Sequence, residues 1–442
     1  MRNKILILGF ILSNLISSCS NGQIDVPVGN LRDKQAIIEY AIYYSDISKI
    51  DKDKIVELIR ENYPEIEIID SIPLPDEVSG SQIVINEFNN VKEDFPVADM
   101  ESLKYFSQGL SDIQKAELQN SNYVIILDFF AETNELKTTL EKANNLMIEL
   151  VLNQDAIIYD SETREYFSKK YWVENRLIRN GEIDISKHIT IHLYQKNDYC
   201  RAITLGMLKF GLPEICIKNL SCHTGESIAN LINLSAQTIF EQSIIHKKGK
   251  LNLDIDLIEN KELRVRLLNS LDSNAMKKSI INIVQGKWEE GDPNNKIIEF
   301  AFSKNNPQVE HDELLSEIFG ALDEVSFIEH DDELLEASEQ AKKRIPALKE
   351  MFIKGMPPGQ NLLVKFPFKN FSGESEWMWV EVVKWKGDKV FGLLQNEPKF
   401  VTSLKAGEEV KKNINEMFDY ILYFPDGTQE GNETGKIMMK EY

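Results

Sequence analysis

Two segments set a histidine among carboxylates: Glu310-His311-Asp312-Glu313 and Glu329-His330-Asp331-Asp332-Glu333. That donor mix is one a divalent cation accepts. Both segments run straight into Leu-Leu, however, and acids at that place suit the positive end of a helix dipole. Helix starts are therefore expected there, and no metal. His188 and His192 stand four apart in the strand-like run HITIHLY, so they share a face at about 13 Å. Zinc holds its ligands at about 2 Å, which that separation does not allow. Cys222-His223 suggests a nucleophile and its base, but neighbours in sequence rarely face each other, and Thr224 is a ready N-cap for a following helix. The chain has no H-E-x-x-H, G-x-S-x-G, P-loop or dinucleotide glycine pattern. No catalytic residue, metal or cofactor is expected on this evidence.

One cysteine has a clearer reading. Met1-Arg2-Asn3-Lys4 is basic, Ile5 to Leu15 is apolar but too short to cross a bilayer, and Ile16-Ser17-Ser18-Cys19 closes the segment. This arrangement resembles the signal and lipobox of bacterial lipoproteins. The resemblance implies cleavage before Cys19, a diacylglycerol on its thiol and an acyl chain such as palmitate on its amine. Several chains together make membrane attachment stable. Ser20 in the next position favours outer-membrane sorting over inner-membrane retention. The mature chain keeps Cys200, Cys216 and Cys222. Cys200 and Cys216 read as buried free thiols, with a Cys216–Cys222 pair as the alternative.

These residues need elements to position them, and 442 residues exceed one simple core. The composition, 42% hydrophobic and 27% charged, is that of a folded protein. A net charge of −21 argues against nucleic acid, whose phosphates demand a basic surface. The expected order is a signal peptide at 1–18, a tether at 19–31, a small αβ unit at 32–95 and an αβ sandwich domain at 96–285. A linking αβ segment at 286–330 and a C-terminal domain at 331–442 complete it. KQAIIEYAIYYSDI, SQIVINEF, YVIILDFFA and HITIHLY read as strands, and ELKTTLEKANNLMIELVLNQ as an amphipathic helix. MESLKYFSQGL and RAITLGMLKFG read as helices, the second closed by Gly211, and another helical stretch is expected to run through Asn282. The fold class is α+β or α/β multidomain, ending in helix plus a small, bent, barrel-like antiparallel sheet.

The densest β pattern lies at the end of the chain. Trp377, Trp379, Val383 and Trp385 fall on one alternation, and Met378, Val380 and Val382 on the other, as in a strand buried on both faces. Trp377 and Trp379 are candidates for a binding groove, since tryptophan is enriched at interfaces. Asn396 and Glu397, in a loop before Pro398, are candidates to face a partner. The runs ELLEASEQAKKRIPALKEMF, LLVKFPF, WMWVEVV, GLLQNEP, LKAGEEV and GKIMMKEY resemble the DUF2314 family, a bacterial domain of uncharacterised function. Tyr420 stands where that pattern leads one to expect tryptophan. The resemblance implies a domain over about 331–442 and brings no catalytic residue with it.

The expectation is a lipid-anchored protein of the bacterial envelope, periplasm-facing or at the outer membrane. It binds a protein partner without catalysis, an immunity-type module being one form. The alternative is an envelope hydrolase of unrecognised class.

Overall fold

The computed structural model describes residues 23–44, 52–151, 156–179, 181–223, 225–272, 274–302, 306–320, 332–370 and 375–438. Cys19, Thr224 and the segment from Glu329 to Asp331 lie outside them. Mixed α and β structure fills three main sheets.

The first sheet contains Gln35–Tyr44 (β1), Ile66–Ile68 (β2), Ser81–Phe88 (β3), Ser107–Gln108 (β4), Tyr123–Glu132 (β5), Ala156–Asp160 (β6) and Glu165–Phe167 (β7), in the order β2-β3-β5-β1-β6-β7-β4. Strands on either side of residue 95 thus share one sheet. β5 shows why it forms. Ile125, Leu127 and Phe129 face one side, Val124 and Ile126 the other, and both sides are covered. Helix Leu136–Leu150 covers the first side through Leu136, Leu140, Ala143, Leu146, Met147 and Leu150, all buried at helical spacing. Val91, Leu103, Leu110 and Leu118 cover the second.

The second sheet contains Thr190–Lys196 (β8), Tyr199–Leu205 (β9), Glu214–Leu220 (β10), Lys250–Asp254 (β11), Lys278–Gln285 (β12) and Ile297–Phe300 (β13), in the order β11-β12-β13-β10-β9-β8. Helices Gly225–Gln242 and Pro307–Phe319 lie on it, and its apolar face is continuous with that of the first sheet. A buried cluster sits near this seam. The Asp160 carboxylate pairs with Lys209 and with Arg176 Nη1 at 2.9 Å, all three essentially inaccessible to water.

The third sheet contains Asn361–Lys369 (β14), Ser375–Lys386 (β15), Lys389–Leu394 (β16), Glu409–Asn413 (β17), Asp419–Tyr423 (β18) and Gln429–Gly431 (β19), in the order β17-β16-β15-β14-β18-β19. It has its own core, closed by Ala341 and Leu348 from helices Asp332–Lys342 and Ile345–Lys354. Among the described residues β17 and β19 each pair with one neighbour only, so this bent antiparallel sheet does not close into a barrel.

Four expectations change. RAITL in RAITLGMLKFG is strand β9, because both its edges pair, with β8 and β10. Gly206 ends it at φ +109°, where a Cβ would meet His188 O at 2.9 Å, and only Met207–Phe210 is a helical turn. The stretch expected to be helical through Asn282 stops at Asn269. KSIINIVQ is β12, its isoleucines alternating between faces. In MESLKYFSQGL only Leu103–Phe106 is helical, and the chain then pairs as β4. His188 precedes β8 and does not lie on it, so the two histidines share no strand face.

Candidate functional site

Along β15, Trp377, Trp379 and Glu381 point away from the C-terminal core, while Met378, Val380 and Val382 point into it. A bulge between Val382 and Lys384 resets the alternation, so Trp385 turns into the core and does not share the face of Trp377 and Trp379. Trp377 and Trp379 are half-buried. Trp377 stacks on Phe418 at 4.3 Å between centroids, and the Lys365 ammonium stands 5.3 Å from the Trp379 ring. Burial holds Lys365 below the usual lysine range.

Of the loop candidates, Asn396 joins this group, its Oδ1 accepting the Trp379 N–H at 2.7 Å. Glu397 is exposed and turns back to accept the Ala406 N–H at 3.0 Å. The buried Glu376 goes unnoticed in the sequence. It accepts the N–H groups of Lys399, Phe400 and Val401 at 2.7, 3.0 and 3.0 Å and so pins the loop. Its place before the first tryptophan of β15 is the only sequence sign of it.

Farther along the same face, Leu363, Leu393 and Ile421 are buried around Glu381. Glu381 Oε1 accepts the N–H groups of Cys222 and His223 at 2.9 and 3.1 Å, and Oε2 accepts the Ser221 hydroxyl at 2.5 Å. Burial raises its carboxyl to about 7 despite those donors. The Asp312 carboxyl, close enough to feel Glu381 and Glu397, is likewise pushed to about 7, chiefly by burial. The loop that meets Glu381 is tied by a Cys200–Cys222 disulfide across 22 residues. Cys216 alone is free and buried among the described cysteines. Cys200 is therefore not a free thiol, and the partner of Cys222 is Cys200, not Cys216: strand β9 brings Cys200 beside the end of β10. With Cys222 bonded, it forms no nucleophilic dyad with His223, whose ring packs on Tyr423 at 4.8 Å.

Beside this junction a cleft of about 780 Å³ separates the second sheet from the C-terminal domain. One wall is Leu193, Gln195 and the disulfide; the other is Phe352, Met356 and Trp385. Asp198 and Lys384 join the two units at 2.6 Å, as do Tyr199 and Glu409 at 2.7 Å. Residues 331–442 match the family model described as "Uncharacterized protein conserved in bacteria (DUF2314)". The cleft thus lies where the DUF2314 domain meets the rest of the chain. That match covers about a quarter of the sequence. No curated protein and no solved structure matches the chain.

β8 is the outermost strand of its sheet, and among the described residues no backbone hydrogen bond reaches it from outside that sheet. An unpaired strand edge is a template for another strand. Opposite it, the Trp385 Nε1–H is buried without an acceptor. Among the described residues no group of three or more His, Cys, Asp or Glu is placed to hold a metal ion. No described helix is long and apolar enough to cross a membrane.

Proposed function

We propose that this chain is a lipid-anchored protein of the bacterial cell envelope that binds an extended segment of a partner protein in the cleft beside the DUF2314 domain. The carrying observation is the open edge of β8 at an apolar cleft. Main-chain pairing would supply affinity there, and pockets such as that at Phe352 and Met356 would supply selectivity. The Cys200–Cys222 disulfide supports an oxidising compartment, as the lipoprotein-like N-terminus does. A net charge of −21 favours a basic partner, the pairing that an immunity-type protein would make with a cationic toxin. Trp377, Trp379, Asn396 and Glu397 form the second partner-facing surface in this reading.

Gln195→Arg with Ile353→Arg tests it, since both residues line the cleft and are exposed, so the new side chains add charge and bulk there without entering a core. Affinity purification from detergent-solubilised cells should recover one dominant protein with the wild type and lose it with the double variant. A partner held equally by both overturns the cleft assignment. The competing reading, an envelope hydrolase, draws on the high titration points of Glu381 and Asp312. A Glu381→Gln chain that folds and keeps its biological effect removes Glu381 from that reading.

A further inference from the structure

The chain enters its fold as a strap along the second sheet. The Ile24 carbonyl accepts the Gln285 N–H at 2.7 Å, Asp25 pairs with Val284, and the Val26 carbonyl accepts the Gly249 N–H at 2.8 Å. Gly29 and Asn30 then pair with Ile245 and Ile244. Val26 is buried in the main core and fixes the strap in place. The start of the described chain is thereby tied to the end of β12.

The surface around that point is apolar and basic at once. Ile24, Val28 and Ile244 are exposed, and Trp288, three residues beyond Gln285, is 59% exposed. Single exposed apolar residues are ordinary, but several together, one of them tryptophan, mark an interaction surface. Lysines stand among them. Lys247, Lys248 and Lys287 are exposed, and Lys250 is half-buried and donates to Asn282. Lys248 stands 3.9 Å from Asp25, whereas Lys247 and Lys287 have no carboxylate partner among the described residues. The nearby acids are the exposed Asp25 and Glu290, and Glu289, which is drawn to Lys196 and Lys218 instead. In a chain of net −21, lysines are in excess here.

The spacing to Cys19 says what covers this surface. Cys19 lies four residues before Gln23, and four residues reach at most about 14 Å. A diacylglycerol on Cys19 sits in one leaflet, so it holds the strap within that reach of the membrane. Tryptophan settles at the level of lipid headgroups, and lysine is drawn to anionic lipid.

We infer that the patch of Ile24, Val28, Ile244, Lys247, Lys287 and Trp288 lies against phospholipid headgroups and turns the tethered chain to one fixed face. This placement rests on the lipid anchor proposed above. A few lysines with acids beside them are too weak to hold a chain to a membrane, so the acyl chains anchor and the patch orients.

The lipidated full chain, reconstituted in vesicles of phosphatidylethanolamine and phosphatidylglycerol, tests this. A polarity-sensitive maleimide dye goes on one added cysteine, Ile24→Cys or Ile244→Cys, with the exposed Ile113→Cys on helix Asp112–Gln119 as control. The native thiols stay silent, since Cys200 and Cys222 are bonded and Cys216 is buried. The chain should float with the vesicles, and lipids carrying a nitroxide near the headgroup should quench the dye at 24 and 244 but not at 113. Adding Lys247→Glu and Lys287→Glu should relieve the quenching at 244 while flotation persists. A chain that floats with all three dyes alike, quenched or not, overturns the placement and leaves the anchor standing. A chain that does not float removes the anchor and the placement with it. Shielding at 24 and 244 that arises in detergent and grows with protein concentration assigns the patch to a second copy, which also overturns it.

Discussion

Glu381→Gln is expected to stabilise the protein at pH 8 and change little at pH 5. The wild-type carboxyl is 3% exposed and titrates near 7, where an unburied glutamate titrates near 4.5. Between those values the folded state holds a proton that the unfolded state has released. Stability therefore falls as pH rises through that window, and it is fully present only below the unfolded value. The difference is worth about 3 kcal/mol. Glutamine avoids the loss because both backbone N–H groups are accepted by one oxygen, Oε1, which the amide retains. The new amide nitrogen faces Ser221 Oγ, which can accept as readily as donate. Glu381→Ala, by contrast, takes the acceptor from the part-buried Cys222 N–H, at about 1–3 kcal/mol, and leaves the His223 N–H only Ser221 Oγ at 3.3 Å. Urea unfolding followed by tryptophan emission suits the question, since Trp377, Trp379 and Trp385 all lie in β15. The amide variant should be more stable than wild type by up to about 3 kcal/mol at pH 8 and equal within about 1 kcal/mol at pH 5. A glutamine chain less stable than wild type at pH 8 would show that the three donors outweigh burial and hold the carboxylate charged, refuting the reasoning.

Other expectations follow from single contacts. Asp292→Ala strips the bidentate partner from Arg201, which is 1% exposed, and should cost about 3–5 kcal/mol by chemical unfolding. Replacing Cys200 and Cys222 by serine opens a loop spanning 22 residues and should cost about 3 kcal/mol, read as a lower thermal midpoint in the variant and in reduced wild type. Cys216, fully buried, should react with maleimide only after unfolding. Cys19→Ser should move the chain from the membrane fraction to the soluble one; unchanged membrane association would contradict lipid attachment.

Where local pattern and tertiary context agree, the fold is legible in the sequence. Tyr123 to Leu127 is an unbroken apolar run and becomes a central strand buried on both faces, and Leu136, Leu140 and Leu150 repeat at helical spacing and become its cover. RAITL misleads because its small and branched residues suit either state, and pairing on both sides decides. Trp385 misleads because a single extra residue at the bulge inverts every side chain after it, and no composition signal marks that residue. The C-terminal aromatic surface is visible in Trp377 and Trp379. Its companion Lys365 and the latch at Glu381 are not, because a charged residue within a strand looks solvent-facing until its neighbours are known. The cleft is invisible for a further reason: its walls come from residues near 195 and near 356, brought together only by tertiary packing.

The most direct measurement is site-specific photo-crosslinking in intact cells from a photoreactive residue at Gln195, on the open edge of β8, with Ile113 on helix Asp112–Gln119 as control. Ile113 is 72% exposed, so it samples general encounters. A binding cleft predicts one dominant protein adduct from position 195 that is absent at 113. No adduct at 195, or the same adducts at both positions, would contradict the claim that this cleft holds a partner.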